Sequence, residues 1–220
     1  VSPEVLHALQ SVAASPSERV LLFALASRES RFVATARNPA SSARGLMQFT
    51  RTTWLEAVRD HGPAHGLAFH ADALSTDPET GTISARDSRL LEELLVLRDD
   101  PNLSAAFAMA RLGLEKENLA PVLRRPVTDA DLYLVHFLGP VGARRFLREL
   151  ARAPSQRASD VVGPDAVAAN RNVFVARNGR HRSLGQVHAA VRQDLWRQRA
   201  VYAGLMGGAG PGRAEVAEAR

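Results

Sequence analysis

The stretch Ser15-Pro16-Ser17-Glu18-Arg19-Val20-Leu21-Leu22-Phe23-Ala24-Leu25-Ala26-Ser27-Arg28-Glu29 decides the fold class. It opens as a capping box, with Ser15 and Glu18 three residues apart. Pro16 stands at the first helical position, where its missing N–H costs nothing. Leu22, Leu25, Ala26 and Glu29 then recur at i, i+3, i+4 and i+7, one face of a helix. The stretch ends on a carboxylate that closes an apolar stripe. Desolvation disfavours the charged form of such a group. The negative end of the helix dipole pushes the same way. Both effects raise a pKa toward the range a general acid needs. The ordinary alternative is a Glu29 that reaches solvent or pairs with Arg28 or Arg31, and helix pattern alone favours it.

The same helical signals recur outward from this stretch. Ser2-Pro3 begins a short helix before it. Thr50 caps a helix carrying Trp54, Leu55 and Val58. Leu90, Leu91, Leu94, Leu95 and Leu97 form another apolar series. Asp100-Pro101-Asn102 breaks the chain, with Asn102 read as the cap of a helix carrying Leu103, Ala106, Phe107, Ala110 and Leu114. Thr128 and Asp131 suit a further helix start. Gly139-Pro140 opens one through Phe146, Leu147 and Leu150, and Ser183 to Gln186 forms a second capping box for a helix to about Tyr202. Residues 61–86 gather the turn formers and read as a long loop with a short hairpin around Gly81. The expectation is an all-α domain over residues 1–204, with a small irregular lobe at 35–48 and 61–86. A Gly-rich then polar segment, 205–220, reads as a disordered tail.

Composition narrows the function classes. The 220 residues suffice for one domain with a full core. The absence of cysteine excludes disulfides, thiolate metal sites and a Cys nucleophile. No apolar run approaches the length of a membrane span. The chain begins at Val1 without a charged n-region, so no signal peptide is visible, and it reads as a mature form or a fragment. The net charge of +5, carried mostly by arginine, favours a polyanionic partner: nucleic acid, anionic lipid or a carboxylate-bearing wall. No helix-turn-helix or zinc pattern supports nucleic acid. His61, His65, His70 and Asp72 have the residue types of a metal site. Their spacing crosses Gly62, Pro63 and Gly66, so scattered loop histidines are the better reading and no metal is expected. Arg177, Arg180, His181 and Arg182 surround the Asn178-Gly179 turn. They suit a phosphate or carboxylate contact, with a merely solvated cluster as the ordinary alternative.

The residues after Glu29 carry a resemblance. Glu29-Ser30 is followed by the polar loop Asn38-Pro39-Ala40-Ser41-Ser42-Ala43, then by Gly45-Leu46-Met47-Gln48-Phe49. This resembles the signature of lytic transglycosylases of the SLT type, in the goose-type lysozyme-like superfamily, with one extra residue in the loop. A third match is Tyr133-Leu134-Val135-His136-Phe137-Leu138-Gly139-Pro140, similar to a proteobacterial branch carrying His-Phe-Leu-Gly. The resemblance implies a lysozyme-like helical fold and cleavage of β-1,4 MurNAc–GlcNAc bonds in peptidoglycan. It implies Glu29 as the catalytic acid/base. Ser30, Ser41, Met47, Gln48, Tyr133, His136 and Phe137 become substrate-side residues, with Ser30 and Ser41 fixing the loop and the Glu29 carboxylate. Aligning Gly139-Pro140 puts His136 where the family has a tyrosine that contacts the acid, and Phe137 where it has an asparagine. Tyr133, one turn earlier, is the alternative for that role.

The next acidic residue after Glu29 is Glu56. Hydrolytic glycosidases generally use two carboxylates. A lone acid suits intramolecular attack by the muramic acid 6-hydroxyl and a 1,6-anhydro product, unless Asp60, Asp72 or Asp77 folds back. A hydrolytic muramidase and a catalytically weak wall-binding module of a secretion or flagellar machine are the other readings. No cofactor is expected. The expected partner is the glycan strand, with the protein monomeric and periplasmic or secreted.

Overall fold

The computed structural model describes residues 1–206, without the side chains of Phe137 and Ala169. The chain is 67% helical. Among the described residues one two-stranded sheet interrupts the helices, so the all-α class holds. No described helix is long and apolar enough to cross a membrane. The chain divides into two compact units, Val1–Arg111 and Leu112 onward. Nearly all of the segment read as a tail, 205–220, lies outside the described residues.

In the first unit, α1 (Pro3–Ser11) is capped by the Ser2 hydroxyl, which accepts from the Val5 N–H. In α2 (Pro16–Ser30) the capping box is complete. Ser15 Oγ accepts from the Glu18 N–H at 3.2 Å, and Glu18 Oε2 accepts from the Ser15 N–H at 2.9 Å. Every residue from Val20 to Ala26 is buried, so α2 is covered on all sides rather than along one stripe. The uninterrupted run Val20-Leu21-Leu22-Phe23-Ala24-Leu25-Ala26 explains this, since a helix apolar all round can only be a core helix.

Thr50 caps α3 (Arg51–His61), and Trp54 on it is fully buried. The indole N–H donates to the Leu94 carbonyl at 2.7 Å. Its ring lies against Phe49 at 5.5 Å and Phe107 at 5.0 Å. The stretch after α3 is more ordered than the loop expected there. A 3-10 turn (Gly62–His65) leads into the short α4 (Ala68–Asp72). A hairpin follows, β1 (Leu74–Thr76) antiparallel to β2 (Ile83–Ala85), with Ser75 opposite Ser84. α5 (Ser88–Val96) is capped by Asp87. α6 (Pro101–Leu123) starts one residue after Asp100, whose carboxylate accepts from Asn102 N–H at 2.8 Å and Leu103 N–H at 3.2 Å. Asp100, not Asn102, is therefore the cap, because Pro101 can stand at the first helical position and Asn102 falls inside the first turn.

The second unit is organised around α7 (Asp129–Arg152), which packs against α11 (Leu184–Leu205). Gly139 breaks α7, with φ 65° and ψ 170°. Pro140 has no N–H to continue the ladder and disfavours helical geometry in the residue before it. Short helices α8 (Ser159–Val162), α9 (Pro164–Ala169) and α10 (Arg171–Phe174) lie between.

Asp131, fully buried, ties this unit together. It accepts from Arg125 at 2.6 and 2.9 Å and from the Thr128 N–H and hydroxyl, each at 2.8 Å, and it lies 3.3 Å from His188 on α11. Burial opposes its ionisation, but Arg125, His188 and Thr128 outweigh that and hold the carboxyl far below the usual range. A depressed carboxyl stabilises the fold fully above the unfolded value, about 3.9. That contribution is lost as pH falls below it toward the folded value. Urea unfolding from pH 7 down to pH 2 should show a steep acid loss in the wild type. Asp131→Asn should start about 3 kcal/mol lower at pH 7, as expected for breaking a buried pair, and fall less on acidification.

Candidate functional site

Glu29 is the penultimate residue of α2 and is half-buried. The helix stops immediately after it. Arg31 and Phe32 both take left-handed conformations, φ 51° and 65°. Their N–H groups reach back to Ser27 O and Ala26 O at 3.2 and 3.3 Å, satisfying carbonyls the helix leaves open. The Phe32 ring lies 4.6 Å from Phe23, an apolar contact that fastens the reversal. Each non-glycine residue in this region costs about 1–2 kcal/mol. Two in succession mark a strained turn directly beside the candidate acid, where such strain is commonly found.

Ser30 is buried, and its hydroxyl donates to Ala26 O at 3.1 Å. A serine has one proton to give, so that proton serves the helix end rather than the Glu29 carboxylate. Ser41 is exposed, and its oxygen accepts from the Ala43 N–H at 3.1 Å. It stabilises the turn of the loop.

The loop between Val33 and Phe49 folds back on itself. Asn38 N–H donates to Ala43 O, Arg44 N–H to Phe49 O, and Gly45 N–H to Ala36 O at 2.9 Å. Gln48 completes the closure. Its side-chain amide donates to Ala36 O at 3.1 Å and to Gly45 O at 2.9 Å, so both protons hold the loop and only its oxygen is left to face a ligand. Met47 is half-buried rather than in the core, and its N–H donates to the buried Ser104 hydroxyl.

Beneath the loop lies Arg98, which sequence reading overlooked. Its side chain is buried. Its guanidinium donates to Ser42 O at 2.6 Å, Phe49 O at 3.3 Å and Leu95 O at 2.9 Å. Burial first, then the neighbouring Arg44, lowers its pKa from the ordinary arginine value. Arg44 is itself paired through two nitrogens with Asp99. A signal was present, because Arg98 follows Leu90 and Leu94 at steps of four, carrying the buried series of α5 into the 3-10 turn Leu97–Asp99.

Several other carboxylates of the first unit serve local partners. Glu18, Asp87 and Asp100 cap helices. Asp99 pairs with Arg44. Asp60 binds Arg59 at 2.7 Å, and that contact holds its carboxyl below the usual range. Asp77 accepts from Thr80 and Glu79 N–H in the hairpin turn, which lowers its carboxyl as well. Asp72 is exposed at the end of α4. His61 and His65 place their rings 6.5 and 5.6 Å from Phe107, and His70 lies beside Phe69. Among the described residues no group of three or more His, Cys, Asp or Glu could hold a metal ion.

The remaining candidates belong to the second unit. Tyr133 is buried, and its hydroxyl donates to Asp194 at 3.5 Å. His136 is exposed, and its ring is stacked 6.4 Å from that of Tyr133. The side chain of Phe137 lies outside the described residues.

A helix ending on a half-buried carboxylate, followed by a self-closed loop and a small hairpin within an all-α chain, is consistent with a lysozyme-like fold. Residues 10–88 match the family model of the transglycosylase SLT domain, roughly a third of the chain. The match contains Glu29-Ser30 and Gly45-Leu46-Met47-Gln48 together, and it supports a glycan-cleaving activity on peptidoglycan.

Gly45 is where this loop is most vulnerable. A Cβ there would come within 1.9 Å of the Arg98 carbonyl oxygen, and the backbone φ of 88° disfavours side chains in any case. Gly45→Ala should cost about 3 kcal/mol or more, combining overpacking with the left-handed penalty. Chemical denaturation of the variant beside the wild type measures this.

Proposed function

We propose that this protein is a lytic transglycosylase that cleaves β-1,4 MurNAc–GlcNAc bonds of peptidoglycan outside the cytoplasmic membrane, with Glu29 as sole general acid/base. The observation carrying this reading is the single family match that spans both Glu29-Ser30 and the Gly45 to Gln48 loop. The occupied state of Asp60, Asp77 and Asp99 supports it, since each already serves a local partner.

In this reading protonated Glu29 gives its proton to the glycosidic oxygen as the bond to the muramic acid C1 breaks. The 6-hydroxyl of the same sugar attacks C1, and the Glu29 carboxylate accepts the hydroxyl proton. The products are a free 4-hydroxyl on one sugar and a 1,6-anhydro ring on the other, with no water consumed. The 6-hydroxyl has the advantage of proximity over free water. No second carboxylate is needed, in contrast to hydrolytic glycosidases.

Glu29→Gln should fold and melt like the wild type while lytic activity falls by about 10² to 10⁴, the usual worth of general acid–base catalysis. Muropeptides released by the wild type, analysed without chemical reduction, should be lighter by one water than hydrolysed ones. Predominantly reducing products would make the enzyme a muramidase, and wild-type lysis by Glu29→Gln would remove the assignment.

We assign a substrate-side role to His136 rather than Tyr133. His136 is exposed, whereas the Tyr133 ring is buried in its own unit. His136→Ala should therefore lower the rate of muropeptide release more than Tyr133→Phe. The reverse order would move the role to Tyr133.

A further inference from the structure

From Ala166 to Gln193 the sequence contains no Asp or Glu, but it contains Arg171, Arg177, Arg180, Arg182 and Arg192. Part of this segment folds as an irregular hairpin in the second unit. Val175 bridges His181, Ala176 N–H donates to Arg180 O, and Gly179 N–H donates to Ala176 O, both at 2.9 Å. Asn178 Oδ1 accepts from the Arg180 N–H at 3.2 Å and tightens the turn. The hairpin is anchored through one strand and closed across its base. Ala158 N–H donates to Arg182 O, and Arg182 N–H donates to Phe174 O.

The arginines divide into two kinds. Arg182 is structural, because its guanidinium donates to Asn172 O and Val173 O at 3.1 and 2.7 Å and closes the end of α10. Arg171, Arg177, Arg180 and His181 are exposed, and none has a carboxylate partner among the described residues. The pinned turn fixes the backbone that carries these guanidinium groups, so binding an anion need order only their side chains.

We propose that the 174–183 hairpin, with Arg171 beside it in sequence, is a second contact with the cell wall that binds the carboxylates of peptidoglycan stem peptides. This rests on the peptidoglycan reading above. Guanidinium forks match carboxylates bidentately, and stem peptides repeat those carboxylates along a strand. A single-stranded nucleic acid would want aromatic platforms among the basic groups. The aromatic residue of this segment, Phe174, is fully buried.

The test uses full-length protein carrying Glu29→Gln, so that binding is measured without cleavage. Co-sedimentation with purified sacculi should weaken as salt rises. The triple variant Arg171→Gln, Arg177→Gln, Arg180→Gln should lose about tenfold in affinity, the combined worth of a few exposed ion pairs, with an unchanged melting temperature. The corresponding lysine variant should recover only part of it, since an ammonium keeps the charge but lacks the bidentate fork. Sacculi with amidated carboxyl groups should bind the unsubstituted protein as weakly as native sacculi bind the triple variant, a measurement that does not depend on the variant folding. Undiminished binding to amidated sacculi would overturn the proposal. So would duplex DNA that binds more tightly than sacculi at equal salt and loses that binding in the triple variant. A wild-type protein that releases no muropeptides yet binds sacculi through these arginines would refute the enzymatic reading and leave the hairpin assignment standing.

Discussion

The approach of the Gly45 backbone to the Arg98 carbonyl fixes the loop that follows Glu29. No side chain fits between them, since a Cβ would lie 1.9 Å from that oxygen. The closeness lets the Arg98 guanidinium reach Ser42 O and Phe49 O on the two arms of the loop. An isolated buried charge is costly. Here three carbonyls, Ser42 O and Phe49 O of the loop and Leu95 O of the helix end, accept from it. The loop and the arginine therefore depend on each other. Arg44 and Asp99, adjacent in sequence to the two partners, add an ion pair at the same junction.

This junction joins parts of the chain that are far apart in sequence. Gln48 closes the loop from one side, and Ser104 at the start of α6 receives the Met47 N–H from the other. Trp54 connects α3 to the end of α5 through the Leu94 carbonyl. Glu29 sits at the other end of the loop, between the buried middle of α2 and a turn that uses two left-handed residues. A carboxylate held this way has little freedom to move with its backbone. A group that must deliver a proton to one particular oxygen benefits from that restriction.

Caps were the most legible part of the sequence. Ser15 with Glu18, Thr128 with Asp131 and Ser183 with Gln186 are local patterns, and each forms the box its spacing suggests. Candidate residues were legible where a motif carried them, as with Glu29 and Gln48. Their hydrogen bonds were not. Gln48 turns its amide inward to Ala36 O, twelve residues back, as a second donor beside the Gly45 N–H, and no local pattern encodes that partner. Ser30 spends its proton on its own helix for a similarly local reason that the motif obscured. Arg98 was passed over because its partners lie about fifty residues away. The helix at Ala68–Asp72 was missed because the surrounding turn formers masked so short an element. Asn102 was taken as a cap because Pro101 looked like a break rather than a first helical residue.

Two glycines in this chain answer to different demands. Gly45 is confined by volume. Gly139, in the break of α7, has none of the described atoms beyond its adjoining backbone within 4 Å of where a Cβ would stand, yet its φ of 65° and ψ of 170° lie in a region closed to most L-residues. The requirement at Gly139 is handedness alone. Its mirror-image angles fall in the ordinary extended basin. A D-alanine introduced there by chemical ligation would occupy the comfortable conformation of its own enantiomeric series, in space the fold already leaves open. The break in α7 is thus a site where the stereochemistry of one α-carbon, and nothing about its size, decides whether the chain can turn.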